Sequence, residues 1–92
     1  MAKPKVKEIP TRSSEQLGSA LNQVRKTKKL SQAMLSHLAN LRQGTISKAE
    51  KGVSTTTLKT IYDICTALNL ELVLRERESK KARSFDPEEV FD

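Results

Sequence analysis

The stretch from Leu30 to Gly52, LSQAMLSHLANLRQGTISKAEKG, restricts the fold more than any other part of the chain. Its apolar residues recur at helical spacing in two short runs, separated by a single Asn. Ser31 is placed as an N-cap, where its hydroxyl can accept from the free backbone N–H groups of a first turn. Leu35, Leu38 and Ala39 then fall on one face of the first run. Asn40 follows, and Asn is one of the few residues besides Gly that tolerates a left-handed backbone. Leu41 continues the core, and Arg42-Gln43-Gly44-Thr45 opens a second helix with Ile46 and Ala49 facing inward. Arg42, Gln43, Thr45, Ser47 and Lys48 are left pointing outward. Arg and Gln at the start of a short exposed helix suit the reading of base edges, Arg making two hydrogen bonds to guanine and Gln two to adenine. Gly44 has no side chain and so permits close approach to a groove, at a cost of about 1 kcal/mol in helix propensity relative to Ala.

Leu30-Ser31-Gln32, Leu35, Thr45-Ile46-Ser47 and Glu50-Lys51-Gly52, at these offsets, resemble the helix-turn-helix of phage-repressor-like regulators, the Xre or Cro/C1 family. With flanking helices the resemblance runs from Ser13 to Leu74, and Asn40 stands where that family usually has a glycine. It implies an all-α, lambda-repressor-like domain of four helices that binds DNA. It further implies that Arg25, on the first helix, pairs with Glu50 at the end of the third and ties the two together. An Arg–carboxylate pair of this kind is directional and can be bidentate. Lys28, just before the motif, and Gln32, at the start of its first helix, complete the expected DNA-binding set with Arg42, Gln43, Gly44, Thr45, Ser47 and Lys48. Gln32 is expected on a phosphate, helped by the positive helix N-terminus, a contact that positions without reading sequence.

Charge agrees with this placement. Seven basic residues lie between Arg25 and Lys51 against the single acid Glu50, while the other positions hold ten of each sign. The whole excess of +6 therefore sits in and just before the motif, the footprint of a phosphate-binding face. The lone cysteine, Cys65, excludes an intrachain disulfide and fits a reducing cytoplasm. No apolar run approaches the ~20 residues of a membrane helix, and the N-terminus has no apolar signal segment. The lone histidine, His37, has no second ligand at metal spacing, so no metal or cofactor is expected. An enzyme is not expected either, because no nucleophile–base pair or glycine-rich phosphate loop is present.

The rest of the chain divides around the motif. Residues 1–12, with two prolines and four basic residues, read as a flexible arm. Ser13 with Gln16 fits a capping box opening a helix whose stripe is Leu17, Ala20, Leu21 and Val24 and whose end falls near Thr27 or Lys28. After the loop Gly52-Val53-Ser54, Thr55 or Thr56 is placed to cap the next helix. Its inward face is predicted as Leu58, Ile61, Cys65 and Leu68, with Tyr62 and Ile64 flanking, and Asn69 ends it in the left-handed position. The helix-turn-helix domain thus spans 13–69.

Residues 70–76 change period. Leu70, Leu72 and Leu74 alternate with Glu71, Val73 and Arg75, which indicates a half-buried strand, with a helix as the alternative because Leu and Glu favour it. A lone strand leaves its N–H and C=O groups unpaired. Its economical partner is the same strand of a second copy, in an antiparallel ribbon centred on Val73 that sets Glu71 opposite Arg75 of the other chain. Such a homodimer presents two reading helices about 34 Å apart to an inverted-repeat operator. Residues 77–92 read as a disordered tail with acidic end and Phe85, Val90 and Phe91 among the acids.

Thr45-Ile46-Ser47, Thr57-Leu58, Ala67-Leu68-Asn69-Leu70 and the Leu-rich strand are further similar to HipB-type antitoxins. That resemblance implies a repressor of its own operon that restrains a HipA-type serine/threonine kinase toxin, and the location expected for such a chain is cytoplasmic and nucleoid-associated. A stand-alone repressor, and an adaptor that keeps the fold without specific operator binding, are the alternatives.

Overall fold

The computed structural model describes residues 7–77. The first half of the expected arm and the acidic end with Phe85, Val90 and Phe91 lie outside the described residues. Four helices follow in order: α1 (Ser14–Thr27), α2 (Gln32–Ala39), α3 (Gln43–Glu50) and α4 (Leu58–Ala67). α3 packs against each of the other three.

Local chemistry accounts for where these helices start. The hydroxyls of Ser13, Ser31 and Thr57 accept from the backbone N–H of Gln16, Met34 and Thr60 at 3.0, 3.0 and 3.2 Å. The cap of α4 is thus Thr57 rather than Thr55 or Thr56. Those two lie in the preceding loop, where the Thr56 N–H closes a turn on the Val53 carbonyl at 3.0 Å. The Gln16 side chain also departs from the expected capping box: its Oε1 accepts from the Arg12 N–H, not that of Ser13, at 2.7 Å.

One device ends all four helices. Lys29, Asn40, Gly52 and Asn69 adopt left-handed backbone, with φ of 59, 56, 72 and 58°. The next residue then donates its N–H to the carbonyl five positions back: Leu30 to Arg25, Leu41 to Ser36, Val53 to Lys48 and Leu70 to Cys65. This 6→1 bond satisfies a free helix carbonyl and swings the following side chain toward the core. Leu30, Leu41 and Leu70 do pack against it. Lys29 is the costly member, since left-handed backbone is unfavourable by about 1–2 kcal/mol for a residue with a Cβ. Part of that is offset because Gly has more conformational entropy to lose on folding. Lys29→Gly is therefore expected to stabilise the domain by about 0.5–1 kcal/mol. Thermal melts should show a rise of a few degrees, and an unchanged midpoint would contradict this account.

The core comprises Leu21, Val24, Leu35, Ile46, Ala49, Ile61, Ile64, Cys65 and Leu68, with Leu17 and Ala67 at its edge. Leu38 is not in it and is 58% exposed. The inward line of α2 runs through Leu35 and Ala39, four residues apart, and Leu38 falls to one side beside the exposed Met34. Leu58 is likewise outside, at 64% exposed, whereas Ile64 sits at the centre and not on the flank. The inward residues of α4 are Ile61, Ile64, Cys65 and Leu68, at i, i+3, i+4 and i+7. Burial pushes the Cys65 thiol pKa up, which leaves it a protonated, unreactive core residue.

Beyond Asn69, Leu70 is the last residue to pack on the core. Residues 70–77 form no helix and no paired strand among the described residues. Leu72, Val73 and Leu74 are exposed, Leu74 completely. Arg75 meets Glu8 of the arm at 3.1 Å, an exposed ion pair.

Candidate nucleic-acid interface

α3 turns Ile46 and Ala49 into the core and leaves Arg42, Gln43, Gly44 and Lys48 exposed. Thr45 and Ser47 are half-buried, at the shoulders of the helix rather than on its crest. A Cβ at Gly44 would meet nothing within 4 Å, so packing does not demand glycine there. Arg42 occupies the N-cap position with no side-chain cap bond. The helix start therefore presents free backbone N–H groups together with a guanidinium, an arrangement that attracts anions.

Two other residues of the expected set are tied into the fold. The Lys28 ammonium donates to the Leu68 carbonyl at the end of α4, where the helix dipole favours a cation. Gln32, half-buried at the first position of α2, donates through Nε2 to Glu50 Oε1 at 3.0 Å.

Glu50 is the most heavily bonded side chain of the domain. Arg25 Nε donates to its Oε2 at 2.6 Å, and Arg25 Nη2 to its Oε1 at 3.1 Å. Asn22 Nδ2 donates to Oε1 at 2.8 Å, and the remaining Arg25 nitrogen, Nη1, to the Leu30 carbonyl at 2.8 Å. The side chains of Arg25 and Glu50 are 9% and 4% exposed. Burial acts to raise the Glu50 pKa. The hydrogen bonds from Arg25, Asn22 and Gln32, with the charge of Arg25, outweigh it and hold the carboxyl below its ordinary value. One carboxylate thus joins α1, α2 and α3 beside the outward row of α3. Asn22 belongs to no motif of the sequence. The only signal was its position three residues before Arg25, on the same face of α1.

A two-turn helix, a left-handed Asn turn and a second two-turn helix packed against α1 and α4 define a helix-turn-helix protein. The model of the HTH_3 helix-turn-helix family matches residues 21–74, and the chain belongs to that family. Among solved structures, the chain is similar to a HipB variant in complex with an O2 20mer, at 30% identity and a TM-score of 0.73, over 78% of this chain and 100% of that one. It is similar to HipB in an O4 20mer complex, at 30% identity and a TM-score of 0.72, over 77% of this chain and all of the other. A HipA–HipB–O2–O3 complex gives the same identity, TM-score and coverage. Comparison with curated proteins found no match.

Proposed function

We propose that this chain is a HipB-type repressor and antitoxin that binds an inverted-repeat operator as a dimer. The observation that carries the reading is the outward row of α3: Arg42, Gln43, Gly44 and Lys48 exposed on an uncapped, core-anchored helix. Arg42 and Gln43 are assigned to base edges, and Thr45, Ser47 and Lys48 to bases or phosphates one turn on. Lys28 and Gln32 are assigned to phosphates. Their internal bonds permit this, because an ammonium has three donors and an amide nitrogen two, and each residue is bonded here through one.

The dimer is supported by what one copy leaves uncovered. Leu72, Val73 and Leu74 are exposed, as are Leu58 and Tyr62 one turn apart on α4. A ribbon of residues 70–76 with the same segment of the partner pairs their backbone groups and covers this apolar surface. Arg75 would exchange its exposed contact with Glu8 for Glu71 of the partner subunit, a swap of small energetic consequence. A HipA-type kinase as protein partner is supported by the likeness to HipB in a complex with HipA.

Selection of duplexes from a random pool, with salt titration of the recovered sequence, tests the reading. An inverted repeat whose half-sites lie one helical turn apart, bound with a steep salt dependence, is expected. No preferred duplex at any salt concentration overturns it. Gln43→Ala should lose about 1–3 kcal/mol of discrimination at one or two base pairs and leave the others as they were. An unaltered preference at every position removes Gln43 from the readers. Copurification of a kinase separates the antitoxin from a stand-alone repressor.

A further inference from the structure

We infer that Glu50 is a positioning residue for DNA binding: through its Oε1 it fixes the side-chain amide of Gln32 so that one N–H is held inside and the other is presented to a backbone phosphate. The inference rests on the DNA-binding reading above and adds to it a residue that never touches DNA.

A free glutamine amide at a helix start samples many rotamers, and its oxygen is as apt to face outward as its nitrogen. An outward oxygen would repel a phosphate. Here Glu50 Oε1 accepts from Gln32 Nε2 at 3.0 Å, and a carboxylate accepts only from the nitrogen. The Gln32 oxygen is therefore excluded from that contact, and the second N–H of Nε2 is left unused by it. Gln32 is a half-buried residue, and its bond to Glu50 is only partly buried. The carboxylate is itself immobilised. Asn22 and Arg25 Nη2 share Oε1 with Gln32 while Arg25 Nε takes Oε2, and the Glu50 side chain is 4% exposed. Arg25 also supplies the positive charge that keeps a carboxylate this near the interface from repelling the phosphate.

Because Glu50 is the last residue of α3 and Gln32 the first of α2, the bond also sets the phosphate contact in register with the reading helix. A misplaced α3 would carry the Gln32 amide with it. Preorganising one donor in this way raises affinity by removing the ordering cost at binding.

The test uses the full chain and the duplex recovered by selection, remade with a single methylphosphonate at each phosphate in turn. The neutral linkage removes an acceptor without changing the bases. Wild type is expected to lose about tenfold in affinity at the phosphate facing the α2 start, and Gln32→Ala to lose nothing further at that linkage. The double variant Arg25→Leu with Glu50→Leu, which removes the acceptor of Gln32 Nε2 without stranding the buried guanidinium, is expected to abolish most of the wild-type sensitivity there. It should leave sensitivity at phosphates contacted by lysines intact. A merely structural role would weaken binding at every linkage equally. If Gln32→Ala keeps the wild-type pattern, Gln32 touches no phosphate. If Gln32→Ala loses sensitivity and the double variant keeps it, the positioning role is overturned while the phosphate contact stands. Failure of all variants and wild type to prefer any duplex overturns the DNA reading itself.

Should the double variant fail to fold, NMR relaxation of the side-chain amides in the wild-type protein supplies the measurement. Gln32 is expected to show an Nε2 order parameter near the rigid backbone range of about 0.85, and the exposed Gln23 and Gln43 values below about 0.6. An amide of Gln32 as mobile as theirs overturns the inference.

Discussion

Gly18→Ala is expected to destabilise the domain by about 3 kcal/mol, the upper end of the usual overpacking range. In an exposed helix the same change would stabilise by about 1 kcal/mol, since Ala is the better helix former. Here an added Cβ would lie 2.5 Å from the Ala49 carbonyl oxygen, 2.6 Å from that of Glu50 and 2.8 Å from the Gly52 nitrogen. All three are backbone atoms of the end of α3, so no side-chain rotation relieves the contact. α1 and α3 would have to separate, and Glu50 would move off Arg25 and Asn22. Gly44→Ala supplies the matched control. Its Cβ has nothing within 4 Å, so a gain of up to about 1 kcal/mol in stability is expected. Denaturant melts of the two variants should move in opposite directions. A Gly18→Ala midpoint at or above wild type would refute the close approach.

Glu50→Ala is expected to cost about 3–5 kcal/mol, because it leaves the buried Arg25 charge without its partner. Replacing both members, as in Arg25→Leu with Glu50→Leu, should recover most of that loss, since the desolvation penalty disappears along with the attraction. A double variant as unstable as Glu50→Ala alone would show that the pair is not the cause. The same carboxylate imposes a pH dependence. Its folded pKa is depressed below the ordinary 4.5, so the unfolded state takes up a proton first on acidification. The stabilisation is thus fully present above about pH 5 and is lost as pH falls through the folded pKa. Acid titration of stability should show this fall in the wild-type protein, and a flatter curve in the double variant.

Much of this architecture was legible in the residues themselves. Ser13, Ser31, Asn40 and Asn69 carry their backbone roles in their own side-chain chemistry, and the inward Ile46 and Ala49 follow from spacing. Lys29 was not legible as a left-handed residue, because nothing in a lysine favours that conformation. It is imposed by the Leu30 side chain reaching the core. Leu38 and Leu58, inward by spacing and exposed in the fold, differ for another reason. Helices of eight and ten residues hold so few turns that periodicity allows more than one inward face, and packing chooses between them. Gly18 gave no sign of its role, since a crossing of two backbones is visible only in three dimensions. The inward bonds of Lys28 and Gln32 likewise join residues 40 and 18 positions away from them. The alternation of residues 70–76 finds no paired strand among the described residues, and its pairing with a second chain stays with the proposal above.

α3, which carries the row proposed to read DNA, also packs against each of the other helices. Its backbone cannot shift to suit a poorly matched groove without opening Ile46, Ala49 and the Glu50 cluster together. In the proposed complex, accommodation therefore falls to the nucleic acid, whose bending and twisting energies vary with base sequence. On the proposed inverted repeat, the base steps between the two half-sites should consequently influence affinity through their stiffness.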